Sequence, residues 1–147
     1  MPFFSTTYAD LGTVSDKHGV AIATFRHYPS EQLLYIIWNG NLTGKEVIQV
    51  AKEGLKILEE FHIPLVLNDK TKATGDWSEA LPWLEYEWLP DAMQEGLRAF
   101  AYIFSPDVQS HIVSAEFVEK IGKYLPIQLF YDMPSAMQWL QQQHKAA

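Results

Sequence analysis

A strand–helix–strand pattern in the first half of the chain constrains its fold more than any other feature. Leu33–Asn39 (LLYIIWN) is a continuous apolar run, which is typical of a strand buried on both faces of a sheet. Thr43 and Glu46 then form a capping-box pattern, and an apolar stripe at helical spacing continues to about Phe61. Leu65–Asn68 is a second, short apolar run. This order indicates a parallel crossover in a sheet covered by helices.

The residues before this pattern predict an antiparallel hairpin. His18–His27 (HGVAIATFRH) alternates with period two and is rich in β-branched residues, which indicates a strand. The polar turn Tyr28–Gln32 is short, so this strand should pair antiparallel with Leu33–Asn39. Some apolar residues of the irregular N-terminal stretch are suited to a short edge strand: Phe3, Phe4 and Tyr8.

The middle of the chain predicts a long polar connection followed by helices. Asp69–Asp76 (DKTKATGD) is the longest polar stretch between apolar segments. Trp77–Leu89 has helical spacing, and Pro90 is expected to end that helix. A short second helix should follow and stop at Gly96, before a strand at Arg98–Phe104.

The last third predicts a helix, a strand and a final helix. Ser105-Pro106-Asp107 has the residue types of a helix start, with the Ser105 hydroxyl as the cap, and the helix should run to about Tyr124. Its inward residues are predicted to be Val108, Ile112, Ala115, Val118 and Ile121. Ile127–Tyr131 is the last strand, and Asp132 begins the last helix.

The predicted fold class is α/β. We expect a mixed sheet of about five strands, with an N-terminal antiparallel hairpin, then parallel β-α units, and helices covering the sheet. The 147 residues, of which 48 % are hydrophobic, suit a single domain over residues 1–147.

The charge balance argues against a polyanionic partner. Eighteen acidic and eleven basic residues give a net charge of −7, so we expect no nucleic-acid partner. The chain has no cysteine, which excludes a disulfide framework and a thiolate zinc site. Its first ten residues carry no Lys or Arg, and no apolar run approaches the roughly 20 residues that span a bilayer. We expect a cytoplasmic protein without a transmembrane segment.

No catalytic or cofactor motif stands out. The glycine motifs that bind phosphates and dinucleotides are absent, and so is the G-x-S-x-G turn of hydrolases. The five histidines lack metal-ligand spacing. Glu85 and Glu87 are two residues apart, so on a helix their carboxylates do not face each other. We predict no cofactor, no metal and no catalytic residue, and an enzyme is the less favoured alternative.

Several stretches of the chain, within residues 18–142, resemble the small bacterial STAS-like domains. They are Tyr35–Gly40, Leu67–Lys70, Trp83–Pro90 followed by Gly96, Phe130–Asp132, and Ala136–Leu140. STAS-like domains share the fold of anti-sigma-factor antagonists and are distantly similar to CRAL-TRIO lipid-binding domains.

The resemblance implies a non-enzymatic regulatory or protein-interaction module. In anti-sigma-factor antagonists, a serine in the turn after a buried strand is phosphorylated. The matching turn here, Asn68–Ala73, has no serine, so we expect no such phosphorylation. A homodimer is left open. The similarity to CRAL-TRIO domains and the aromatic-rich Trp77–Leu89 segment give the alternative, a carrier or sensor of a small apolar, lipid-like ligand.

The predicted binding site lies at the carboxyl edge of the parallel strands, where open α/β sheets place their ligands. If the protein binds a ligand or a partner, we expect contacts from Trp38, Asp69 and Lys70, and from Trp83 or Trp88. Two plainer interpretations compete with this site. The tryptophans could be core residues, and the Asp69–Lys70 pair could be solvated turn residues.

Overall fold

One mixed sheet of six strands forms the centre of the protein. The computed structural model describes residues 7–145. The strands are β1 (Ala9–Ser15), β2 (Ala21–Tyr28), β3 (Leu33–Asn41), β4 (Leu65–Thr74), β5 (Ala99–Ile103) and β6 (Ile127–Phe130). Strands β1 to β3 pair antiparallel and β3 to β6 pair parallel, in chain order. The predicted fold class is confirmed, with six strands instead of about five. The sixth is the edge strand β1, and Phe3 and Phe4 lie outside the described residues.

The helices cover the two faces of the sheet unequally. They are α1 (Gly44–Phe61), α2 (Leu81–Trp83), α3 (Leu89–Gln94), α4 (Val108–Ile121) and α5 (Met133–Lys145). Because sheet order follows chain order, crossovers of one hand place α1 to α4 on the same face. Buried residues of α1, α3 and α4 share one core there, whereas α5 packs with a smaller core on the other face.

The start of α1 has the predicted capping box. The Glu46 backbone N–H donates to Thr43 Oγ1 at 3.4 Å, and the Thr43 N–H donates to Glu46 Oε1 at 3.0 Å. Each side chain therefore satisfies a backbone donor that the first helical turn leaves without a partner. This interaction fixes the point at which the chain leaves β3 and enters α1.

Strand β4 is longer than the sequence predicts. It continues to Thr74, so most of the predicted polar connection Asp69–Asp76 is strand. Lys72–Thr74 pair with Asn39–Asn41 of β3 after a bulge, where β4 carries one more residue than β3. Backbone pairing extends the strand here without an apolar run, because both chain segments present unpaired donors and acceptors to each other.

The helical segment after β4 is not broken at Pro90, contrary to the prediction. A π turn, Leu84–Trp88, joins α2 to α3, and the Leu89 N–H donates to the Leu84 carbonyl. Pro90 therefore lies in the first turn of α3, where its missing N–H costs no hydrogen bond within that helix.

Helix α4 begins later and faces differently than predicted. Asp107 is its N-cap and accepts from the Ser110 N–H at 2.9 Å, whereas the Ser105 hydroxyl donates to the Ala73 carbonyl. The apolar residues that α4 buries are Val113, Phe117 and Ile121. Of the other predicted inward residues, Val118 is half-buried, and the exposed ones are Val108, Ile112 and Ala115. The helix carries apolar residues on two faces, and spacing alone does not say which one faces the sheet.

Replacing Thr43 by Ala should lower the free energy of unfolding by about 0.5–2 kcal/mol, because the Glu46 N–H loses its acceptor. Thr43→Ser keeps a hydroxyl at the N-cap and is the matched control, which should unfold close to the wild type. Urea unfolding of the three proteins measures the difference. Equal destabilisation by both substitutions would show that packing of the threonine methyl group, and not the cap, is responsible.

Candidate functional site

A small cavity lies between the sheet, α1 and the segment that contains α2 and the π turn. Its walls come from β3, β4, β5, α1, α4 and this segment, and every lining residue except the half-buried Ala51 is buried. The cavity offers about 40 Å³ to the centres of water-sized molecules. At roughly 10–15 Å³ for each such molecule, it has room for about three or four non-hydrogen atoms.

Lys70 is the charged residue on this wall, and its side chain is 1 % exposed. Its Nζ lies 3.8 Å from the ring centre of Trp38, 4.2 Å from that of Trp77 and 5.8 Å from that of Tyr102. Among residues 7–144, no side chain forms an ion pair or a hydrogen bond with this nitrogen. The amine is therefore enclosed by aromatic faces and has no counter-charge within that range.

Strand alternation explains why this lysine points inward. Successive residues of a strand face opposite sides, so Val66, Asn68 and Lys70 face the large core under α1. Asp69 faces the opposite side, where its Oδ2 accepts from the Tyr35 hydroxyl at 2.8 Å. The two adjacent charged residues are thus separated by the sheet and do not pair.

Burial decides the protonation of the lysine. Loss of hydration disfavours the ammonium form and holds the pKa of Lys70 well below its usual value of 10.5. Cation–π contacts with two indole rings favour the charged form by about 2 kcal/mol or more when desolvated. The desolvation penalty of a buried ion is still several kcal/mol, on the order of twice that or more. Without a counter-ion, burial therefore lowers the pKa of Lys70 and shifts its equilibrium towards the free base.

Other polar groups on the wall are also without partners. The Trp77 Nε1–H and the Tyr102 hydroxyl are buried and form no hydrogen bond within the described part of the chain. Ser114 lies beside Tyr102, but the two hydroxyls do not meet hydrogen-bond geometry. Burial raises the pKa of Tyr102 above its usual value, so the phenol keeps its proton. Asn68 Oδ1 already accepts from Trp38 Nε1 at 2.8 Å.

The structure brings together three of the five predicted site residues. Trp38, Lys70 and Trp88 all line the cavity, and Trp88 is fixed by a 2.9 Å hydrogen bond to the Ala51 carbonyl. Asp69 lies across the sheet. Trp83 is half-buried outside the cavity, with the ammonium of Lys52 5.8 Å from its ring centre.

Sequence reasoning did not include Trp77 and Tyr102 in the site. Tyr102 pairs with Asn68 in the register of β4 and β5, and residues paired in parallel strands share a face. Aligning the predicted strands from Leu65 and Arg98 would have paired Asn68 with Ala101 instead, so the one-residue difference in where β5 begins hid Tyr102 from the site. Trp77 was visible as one of four clustered aromatic residues, but its position depends on how the chain turns after β4.

Within the described residues, no cluster of three or more His, Asp or Glu side chains is placed to hold a metal ion. None of the helices in that part of the chain has the length and apolar character needed to cross a membrane. Comparison of the chain with protein-family models, curated proteins and solved structures found no match. The STAS-like resemblance therefore stays a prediction.

Replacing Lys70 by Met should raise stability most at neutral pH. Between the lowered pKa of the folded state and the unfolded value of 10.5, the unfolded chain holds one more proton than the folded chain. The wild type then gains stability as pH rises, by at most about 1.4 kcal/mol per pH unit. The advantage of Lys70→Met should shrink towards pH 10.

Urea unfolding between pH 7 and pH 10 measures this difference. The exposed neighbour Lys72 is the matched control, and Lys72→Met should follow the pH dependence of the wild type. Parallel pH curves for Lys70→Met and the wild type would contradict the assignment of a desolvated amine.

Proposed function

We propose that this protein is a carrier or sensor of a small, mostly apolar ligand, which it holds in the cavity beside Lys70. The observation that supports this proposal is the composition of the wall, which is apolar apart from a few side chains such as Asn68, Lys70 and Tyr102. Small-molecule sites have this character, since apolar surface supplies affinity and a few polar groups fix orientation. A well-packed core would have neither the space nor an unpaired amine.

The volume of the cavity limits the size of the ligand. Space for about three or four non-hydrogen atoms suits a short molecule rather than a whole lipid chain. The lipid-like ligand suggested by the CRAL-TRIO similarity would have to displace wall residues such as Leu84 and Trp88. We therefore propose a short-chain ligand, and the protein purified without denaturation should carry it in native mass spectrometry.

Filling part of the cavity should weaken ligand binding. Val50 is buried on the wall, and Val50→Ile adds one methylene group to the space that a ligand would occupy. Acetamide and 2-propanol, with four non-hydrogen atoms each, are suitable probes, and titration calorimetry or tryptophan fluorescence reports their binding. We expect Val50→Ile to weaken binding at least about tenfold, or roughly 1.4 kcal/mol.

The control for this experiment is Val108→Ile, because Val108 is 74 % exposed on α4 and lies outside the cavity. It should bind both probes as the wild type does. Unchanged binding by Val50→Ile, together with the absence of any co-purified molecule, would contradict the proposed function.

A second candidate function is the regulatory or protein-interaction module implied by the STAS-like resemblance. The observation that favours it is an exposed apolar surface at the start of α4, which we call the α4 surface: Phe104, Val108, Ile112 and Tyr131. Ile112 is 55 % exposed and Tyr131 is 82 % exposed. Contiguous apolar residues at a protein surface often mark contacts with another protein.

Ile112→Asp tests the α4 surface by placing a charge at its centre, and Gln49→Asp makes the same charge change on the exposed side of α1. A second copy of the chain is the simplest partner to test. If the surface mediates self-association, sedimentation velocity should show a dimer that Ile112→Asp loses and Gln49→Asp retains. A wild type that stays monomeric at every concentration would remove the homodimer from this proposal.

A further inference from the structure

The charge and the hydrogen-bonding groups of the cavity wall, in addition to its shape, determine which ligand the cavity prefers. We infer that its ligand is a small carboxylate, bound as the counter-ion of the Lys70 side chain. This inference rests on the proposed function, because it names the chemical class of ligand for the same cavity.

The first step of the argument is the missing negative charge. Lys70 is 1 % exposed, and within the described residues no carboxylate lies within ion-pair distance of Nζ. The nearest acidic residue in sequence, Asp69, is held across the sheet by Tyr35 and Thr71. A buried amine in this position gains an ion pair only if the negative charge arrives with a ligand.

The second step is the direction of the remaining hydrogen bonds. The Trp77 Nε1–H can only donate, and the Tyr102 hydroxyl is an additional donor, and both are buried without partners. The side-chain acceptor of Asn68 is already used by Trp38. The residues that line the cavity carry an amine and two donors without partners, which matches a ligand that accepts hydrogen bonds, and a carboxylate has two acceptor oxygens.

The third step is size. A carboxylate with one further carbon, as in acetate, has four non-hydrogen atoms, which matches the space for about three or four such atoms in the cavity. The apolar side chains of Val47 and Val50 on α1 would surround the alkyl end, while the carboxylate meets Nζ. A dicarboxylate would bury a second charge without a partner and is excluded on that ground.

Proton uptake is the consequence that distinguishes this inference. Lys70 and Tyr102 are the titratable groups on the wall, and α1, α4 and the Trp77–Trp88 segment present only apolar or aromatic side chains to it. Tyr102 keeps its proton in both states. At a pH above the lowered pKa of Lys70, the free protein holds the neutral amine, whereas the complex holds an ammonium–carboxylate pair. Above that pKa, binding of one carboxylate anion therefore takes up one proton from solvent.

The affinity for a carboxylate should consequently fall as pH rises. Where the free amine is neutral and the bound amine is charged, the dissociation constant should increase about tenfold per pH unit. The neutral isostere acetamide adds no charge, so its affinity should not change with pH. Acetate and acetamide thus form a matched pair of probes with the same number of non-hydrogen atoms.

Titration calorimetry between pH 7 and pH 9 tests the inference, with sodium acetate, with acetamide, and with sodium chloride at equal ionic strength. Experiments in phosphate and in Tris, which differ in ionisation enthalpy, give the number of protons taken up. We expect proton uptake that rises with pH and approaches one per acetate above the lowered pKa of Lys70, and acetate binding at least about tenfold tighter than acetamide at pH 7. Lys70→Met should lose this preference, and Lys72→Met should keep it.

The outcomes separate failure of this inference from failure of the proposed function. Acetamide binding equal to or tighter than acetate binding, or acetate affinity independent of pH in the wild type, would overturn the inference while the cavity remains a binding site. Absence of binding by both probes in the wild type would overturn both proposals. Octanoate is a further arm, and binding tighter than acetate would contradict the size limit that the cavity sets on the ligand.

Discussion

The burial of the Lys70 amine between two indole rings is the interaction on which the character of this protein depends. An isolated ammonium ion in a protein interior costs several kcal/mol, and contact with aromatic faces returns only part of that cost. In the folded protein, Lys70 is therefore favoured either as a neutral amine or as an ammonium ion paired with a bound anion. The polar groups near it, Trp77 Nε1 and the Tyr102 hydroxyl, have no partner that would settle the choice.

The scaffold tolerates this arrangement because the sheet separates the polar residues of β4. Alternation along the strand sends Asn68 and Lys70 under α1, and Asp69 towards Tyr35 on the other face. The bulge after Asp69 then allows β4 to continue alongside β3 to Thr74. Gly75 follows with φ +101°, and a Cβ there would lie 2.5 Å from the Leu42 carbonyl oxygen. Only glycine allows this close approach, which directs the chain towards Trp77.

The sequence predicts the order of elements well, because apolar period and capping residues act locally. The α1 cap at Thr43 and the strand at β3 are of this kind. Two of the three failures are decided by contacts distant in sequence, and the third by a local π turn. Backbone pairing with β3 extends β4 beyond its apolar run, and a π turn accommodates Pro90. The inward face of α4 is selected by packing, since apolar residues occupy two of its sides.

The same reasoning applies to the candidate site. Lysine is rarely buried without a partner, so a sequence-based expectation of a solvated Lys70 follows general experience. Its burial depends on Trp38 from β3, Trp77 from a connecting turn and Tyr102 from β5, which no local pattern brings together. Trp38 and Trp88 could be predicted as candidates because large aromatic residues near strand ends and in amphipathic helices commonly become buried. The pattern does not distinguish burial in a core from burial in the wall of a pocket.

At the carboxyl edge of the sheet, where the sequence predicts binding, the backbone N–H groups at the helix starts already donate to side chains of the protein itself. The helix starts there are capped by side chains of this chain, since Thr43 and Glu46 close α1 and Asp107 accepts from the N–H groups of Ser110 and Gly75. Asp132 does the same for α5 at Ser135. An anion at this edge would have to displace these acceptors, three of them carboxylates that repel it. Between the sheet and α1, the Lys70 amine has no negatively charged partner, and two neighbouring donors have no acceptor. A ligand that accepts hydrogen bonds is therefore favoured there and not at the edge.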